Sequence, residues 1–253
     1  MLSNYTKRNS ITTYGGNSWG PLTGIIQVLT SGVATYYSIN YGPNHLVKFD
    51  QYWNYQTYYT LPLSSTFNGL YVGGRFYFTA EYYFYRTDSN FNLQCQASGV
   101  QYRQPYYDSS TSLFYVAAYS TTYIAVFNIG CVLVQTINLG NYRPYGLSYF
   151  NGSLYVSVMY SNEIFVLQNG VIVKQYVMPN SLCSSTTYPI LSITFDSYGY
   201  MAATCYQYSY MIGFDYNGNQ NSYFSTSNQP FFSLVDSSGR FIVASVFVLD
   251  IYY

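Results

Sequence analysis

The side chains that could do chemistry in this 253-residue chain are few: nine carboxylates, one histidine and four cysteines. Asp50, Asp88 and Asp215 each close a short apolar run, and Asp108, Asp196 and Asp236 each sit in an Asp-Ser pair between two apolar runs. Aspartate at such places bonds its own backbone and forms turns. Glu81, Glu163 and Asp250 remain. Glycoside cleavage requires two converging carboxylates, and the spacing of these three offers no pair; Asp250, inside an apolar run, reads as a strand residue on a solvated or hydrogen-bonded side. His45 is the only histidine and follows Gly42-Pro43-Asn44. A Ser-His-Asp site needs that histidine oriented by an acid, and no Gly-x-Ser-x-Gly nucleophile motif accompanies it, so His45 reads as an exposed loop-edge residue. One histidine and four scattered cysteines match no zinc-ligand spacing. The expectation is a protein without catalytic residues, metal or cofactor.

Composition narrows the classes further. Lysine plus arginine equals aspartate plus glutamate, only 7% of residues are charged, and 22% are aromatic, with 36 tyrosines. A typical soluble domain is about 25% charged. Disordered chains are poor in aromatics, and a nucleic-acid binder needs a basic excess to displace counterions, so neither class fits. No apolar run approaches the roughly 20 residues of a membrane-spanning helix, so membrane insertion is not expected, and Met1–Arg8 shows no apolar signal-peptide core.

The elements that must position these residues are strands. Tyr, Phe, Val, Ile and Thr suit a pleated, half-buried surface, and short runs such as 154–158 and 241–244 lie between turn signals. Six of the eight prolines, Pro21, Pro62, Pro105, Pro144, Pro189 and Pro230, are spaced 41, 43, 39, 45 and 41 residues apart. The apolar segments beginning at His45, Tyr83, Tyr123, Glu163, Tyr210 and Phe247 are spaced 38, 40, 40, 47 and 37 residues apart. A period near 40–45 residues with about four short strands per unit is the pattern of propeller blades. The 24 residues from Pro230 onward and the 20 before Pro21 together make one further repeat. The chain therefore reads as all-β, a single six-bladed propeller domain over residues 1–253, with residues 1–20 completing the last blade. Its closing strand is expected at about Lys7–Tyr14, which removes an exposed strand edge.

With the strands of a blade named a to d from inner to outer, strand a follows each repeat proline. Turns are expected next at Asn68-Gly69, Asp108-Ser109, Asn151-Gly152, Asp196-Ser197 and Asp236-Ser237, and strand b at Leu70–Val72, Phe114–Val116, Leu154–Val156 and Phe241–Val243. The second series above is strand c. Asp-Ser-Ser-Gly-Arg-Phe-Ile-Val-Ala at 236–244 and Phe-Asp-Tyr-Asn-Gly at 214–218 make the chain resemble NHL-repeat six-bladed propellers; blades one and two lack the Asp-x-x-Gly before strand b. Six-bladed calcium-dependent lactonases share that architecture and hold their metal on carboxylate and amide side chains at the mouth of the channel. The inner strands here lack such carboxylates.

In an up-down-up-down blade the d–a and b–c loops leave from one end. Cys183 and Cys205 fall in two such loops of one blade, which makes them a disulfide candidate. Cys95 and Cys131 read as small apolar fillers in or near outer strands. The same loops carry Tyr41, Tyr119, Tyr160, Tyr206 and Tyr208, with Arg103 and Arg143 just before strands a and Asn44, Ser120, Thr121, Ser161, Asn162 and Gln207 nearby. Rigid tyrosines with planar arginines suit recognition of a protein or a glycan. Asn4 and Asn151 stand in glycosylation sequons. A surface this poor in charge suits an extracellular protein and favours association. The reading is a non-catalytic propeller that binds a protein or glycan ligand. The alternative is an extracellular structural or adhesive subunit that forms homo-oligomers or filaments, and a lactonase-type hydrolase comes third.

Overall fold

A computed structural model describes residues 7–14, 17–18, 20–178, 183, 190–215 and 219–252. The chain opens with β1 (Lys7–Ile11) and a two-residue hairpin, β2 (Thr13–Tyr14) and β3 (Asn17–Ser18). Blade one is β4 (Leu22–Thr30), β5 (Val33–Asn40), β6 (His45–Phe49) and β7 (Tyr55–Thr60). Blade two is β8 (Thr66–Val72), β9 (Arg75–Ala80), β10 (Tyr83–Thr87) and β11 (Leu93–Ser98). Blade three is β12 (Tyr102–Asp108), β13 (Leu113–Ala118), β14 (Tyr123–Asn128) and β15 (Leu133–Asn138). Blade four is β16 (Pro144–Phe150), β17 (Ser153–Val158), β18 (Glu163–Gln168) and β19 (Val171–Val177). Blade five is β20 (Ile190–Phe195), β21 (Met201–Cys205), β22 (Tyr210–Phe214) and β23 (Gln220–Ser225), with a 3-10 turn at Tyr206–Tyr208. Blade six is β24 (Pro230–Val235), β25 (Phe241–Ser245) and β26 (Val248–Tyr252), and its outer strand is β1. Six four-stranded antiparallel sheets, the last completed by the N-terminal strand, make the fold a six-bladed β-propeller.

The chain gathers into two compact units, Thr13–Arg143 and Met1–Thr12 with Pro144–Tyr253. In the first, blades one to three pack through aromatic rings. Phe84 lies 5.4 Å from Phe114 and 4.7 Å from Phe127, and Phe76 lies 5.1 Å from Tyr37. Such pairs add to the area they bury. In the second, the core of blades four and five is largely aliphatic, built on Ile164, Met178, Ile193, Met201 and Ile212.

Each blade has an irregularity where strand a pairs with strand b, for example between Thr66 and Asn68 and between Pro144 and Leu147. A bulge leaves backbone donors off the ladder, and in blades four and five strand b supplies a hydroxyl for one of them. Ser157 Oγ accepts from Gly146 N, and Thr204 Oγ1 accepts from Ser192 N, both at 2.8 Å. The bulge also explains Pro105, which lies inside β12 rather than before it, on an edge strand where a missing N–H is tolerated.

Two expectations shift. The Asn68-Gly69 pair is not a turn, and Leu70–Val72 belong to strand a: β8 runs through them and turns at Gly73-Gly74, with φ of +57° and +80°. Gly69 is needed for close approach instead. A Cβ there would stand 2.7 Å from Phe78 Cδ1 and 2.9 Å from Ile26 Cδ1. The closing strand is shorter than Lys7–Tyr14, because Thr13 and Tyr14 leave blade six to pair with β3. All six c strands fall where the second repeat series places them, and the turns at 108, 151, 196 and 236 stand as expected.

Candidate ligand-binding face

The turn aspartates are occupied. Asp50 Oδ1 accepts from the backbone N–H groups of Tyr52 and Asn54, and Asp50 Oδ2 accepts from the Asn54 side chain, all at 2.9 Å. Asp88 with Asn90 and Asn92, and Asp215 with Asn219, repeat the device in other c–d turns. Asp108, Asp196 and Asp236 do the same in a–b turns, and Asp236 also takes the Arg240 guanidinium at 2.6 Å. Burial is the largest single effect on Asp50 and Asp108 and opposes ionisation, but their side-chain and backbone hydrogen bonds together outweigh it and hold both below the usual aspartate pKa; Asp88 is lowered by its Asn92 side-chain bond first.

Glu81 Oε1 accepts from Gln101 Nε2 at 3.1 Å, and Glu163 accepts from Gln175 Nε2. Asp250 is fully buried and bonded within blade six. Among the described residues no group of three His, Cys, Asp or Glu could hold a metal ion. His45 is half-buried rather than exposed, because Tyr58 of the outer strand covers it with ring centroids 4.3 Å apart; burial lowers its pKa.

Within the Thr13–Arg143 unit the structure joins three of the predicted face residues. The Arg103 guanidinium lies 3.7 Å from the centre of the Phe67 ring and 4.4 Å from that of Tyr119. Tyr41 packs on Phe67 at 5.0 Å. Blades one, two and three thus contribute Tyr41, Phe67, and Arg103 with Tyr119 to one stack, in which cation–π attraction orients the guanidinium. Arg103 is only 7% exposed and donates to the Tyr102 carbonyl at 3.0 Å, so it organises the face from beneath while the three rings stay half-buried.

Phe67 escaped the sequence reading because it precedes the misassigned Asn68-Gly69 turn. Its signal is an aromatic at the second position of strand a, seen again at Tyr145 and Phe231. Gln101 ties this region together. Its carbonyl accepts from Tyr119 N at 2.8 Å, and its N–H bonds Ser120 Oγ.

In the second unit Tyr206 packs on Phe231 at 5.0 Å, repeating the Tyr41–Phe67 contact. Tyr160 and Tyr208 are 53% and 44% exposed. Arg143 is exposed in the connection before β16. Asn44 and Asn162 are frame rather than face. Asn44 Nδ2 donates to the carbonyls of Leu61 and Leu63, and Asn162 Nδ2 to that of Met178, so each ties a b–c loop to the next d–a connection.

Cys183 and Cys205 are joined, with Cα atoms 5.7 Å apart. Cys95 and Cys131 are not simple fillers: they form a second disulfide, Cα to Cα 6.0 Å, between the outer strand of blade two and the c–d turn of blade three. Asn4 lies outside the described residues, and Asn151 is exposed in a tight turn at φ +46°.

Neither a family model nor a curated protein sequence matches the chain. Solved structures do. A streptogramin B lyase is 9% identical, with 99% of each chain covered and a TM-score of 0.72. Virginiamycin B lyase from Staphylococcus aureus is 10% identical over 95% of this chain and 82% of that one, with a TM-score of 0.69. The WD40 β-propeller domain of Doa1 is 11% identical over 95% of this chain and 80% of that one, with a TM-score of 0.70. At such identities the likeness is one of fold, and it agrees with the six sheets described above: this chain is a β-propeller.

Proposed function

We propose that the chain is a non-catalytic recognition propeller, similar to NHL-repeat proteins, that binds a protein or glycan through loop-end side chains: Tyr41, Phe67, Arg103, Tyr119 and Arg143 in one unit, and Tyr160, Tyr206 and Tyr208 in the other. The observation that supports it is the stack of Tyr41, Phe67 and Tyr119 around Arg103, which gathers side chains from three successive blades. Rigid rings offer contact area at low entropic cost. The engagement of six aspartates in turns supports a binding role over a carboxylate-dependent hydrolase. Two disulfides suit an oxidising, extracellular setting.

Glycan and protein arrays probed with the wild type, with Tyr160→Ala/Arg143→Ala and with a Tyr52→Ala control test the reading. Tyr52 is 73% exposed in a c–d turn, at the other end of its blade from the b–c loops. The double variant is expected to lose at least tenfold in binding with an unchanged melting temperature, and the control to lose nothing. Equal losses in both, or a loss that follows melting temperature, overturn it.

A second reading, a self-assembling structural subunit, draws on the outer strands β15 and β19. Leu133, Val134, Val171 and Val173 are 47–64% exposed there, and apolar edge strands favour pairing between chains. A monodisperse monomer in size-exclusion chromatography at high concentration would end it.

A further inference from the structure

Asp250 lies in the middle of β26 with no exposed side-chain surface, and two sets of donors satisfy it. The d–a loop supplies Ser227, whose N–H reaches Oδ2 at 2.7 Å and whose Oγ reaches Oδ1 at 2.9 Å. Strand β1 supplies the Ser10 hydroxyl at 2.6 Å and the Lys7 ammonium at 2.8 Å, both to Oδ1. The ammonium also donates to Ser227 Oγ.

Lys7 and Ser10 are three apart, and in a regular strand such residues point to opposite faces. The pairing of β1 with β26 shifts register between Lys7 and Asn9. That bulge inserts one residue and turns both side chains toward Asp250. Without β1 the carboxylate keeps Ser227 and the Tyr252 side chain but loses its cation and the Ser10 hydroxyl, while β26 loses its edge partner. A buried charge stripped of its partner is strongly unfavourable. The outer position of blade six therefore makes chemical demands on its occupant: an antiparallel strand carrying an ammonium three residues before a hydroxyl, with a bulge between them. A strand lacking these groups is penalised, and that penalty is the basis of selectivity.

The donor strand belongs with blade six by contact but is separated from it along the chain by residues 13–143. After Thr12 the chain leaves the unit that contains blade six and enters Thr13–Arg143. Within its unit β1 thus connects to no other strand directly along the chain. Its contacts with Asp250 and β26 would be the same if the segment came from another molecule, which is the condition for exchange between identical protomers.

We propose that the outer position of blade six is a strand-acceptor site selective for Lys-x-x-Ser, and that it takes residues 7–11 of a second copy of this chain in trans. The test uses two full-length variants. Lys7→Asp keeps the acceptor carboxylate and repels it with its own strand. Asp250→Lys keeps the donor strand and repels it at its own acceptor.

The mixture restores the native pair only between chains. Native mass spectrometry and light scattering are expected to show a heterodimer at least tenfold tighter than self-association of either variant. If each variant alone fails to fold, co-refolding is expected to recover soluble heterodimer. Absence of a heterodimer in both formats overturns exchange in trans. The doubly substituted chain, Lys7→Asp with Asp250→Lys, tests selectivity and is expected to recover a melting temperature above that of either single variant. No recovery overturns the role of the charge pair.

Discussion

Lys7, in the first described strand, and Asp250, in the last, stand 2.8 Å apart, and that contact ties β1 to β26. Asp250 is fully buried, whereas the Lys7 side chain is 35% exposed. Lys7→Met should therefore cost about 2 kcal/mol, less than the roughly 3–5 kcal/mol of breaking a fully buried pair. Urea denaturation measures it, and a loss below about 0.5 kcal/mol would show that Ser10 and Ser227 suffice for the carboxylate.

Gly69 has no room for a methyl group. With Phe78 Cδ1 of blade two at 2.7 Å and Ile26 Cδ1 of blade one at 2.9 Å from an added Cβ, Gly69→Ala overpacks the contact between two blades of the unit. Overpacking of this kind costs about 1–3 kcal/mol. Gly32→Ala, in open space at φ +80°, is the comparison, with a backbone cost of about 1 kcal/mol. Equal midpoints for wild type and Gly69→Ala would contradict the packing.

The Cys95–Cys131 bond spans 36 positions of sequence. Chain entropy assigns a loop of that length about 3–4 kcal/mol. Arg86 Nη1 and Tyr77 Oη both donate to the Ile129 carbonyl, at 2.8 and 3.3 Å, so the turn carrying Cys131 keeps other ties to blade two. Cys95→Ser/Cys131→Ser should consequently melt lower yet keep the wild-type near-ultraviolet circular dichroism. Thiol titration of the unfolded, unreduced wild type should find no free thiol, and four would remove both disulfides.

Acid should destabilise the protein through its turns. Asp50, Asp88 and Asp108 titrate below the usual range when folded. Their contribution is complete above the unfolded value of about 3.9 and disappears as pH falls through the lower folded values. Melting temperature should hold down to about pH 4 and then decline toward pH 2. The triple Asp→Asn variant should flatten that limb, and an unchanged acid limb would place the sensitive groups elsewhere.

The blade number, the six c strands and the closing strand were legible because period-two patterning and turn residues recur every repeat. Asn68-Gly69 misled because the pair has two uses. In blade four Asn151-Gly152 turns the chain, while in blade two Gly69 makes room for Ile26 and Phe78, a demand that appears only once blades are packed. Cys95 and Cys131 lie in different repeats, so pairing them required the juxtaposition of blades. The tyrosines of the face could be named from loop position. Phe67 could not, since a residue at the entrance of an inner strand becomes part of that face only through the bulge that redirects it.

The turn aspartates have a consequence for encounters. Acidic groups spread over the turns of several blades, in a chain of zero net charge, leave no concentrated field to draw a partner in. Association should thus proceed at the unsteered rate of about 10⁵–10⁶ M⁻¹s⁻¹ and vary little with ionic strength. Discrimination among partners then rests on how long each complex lasts.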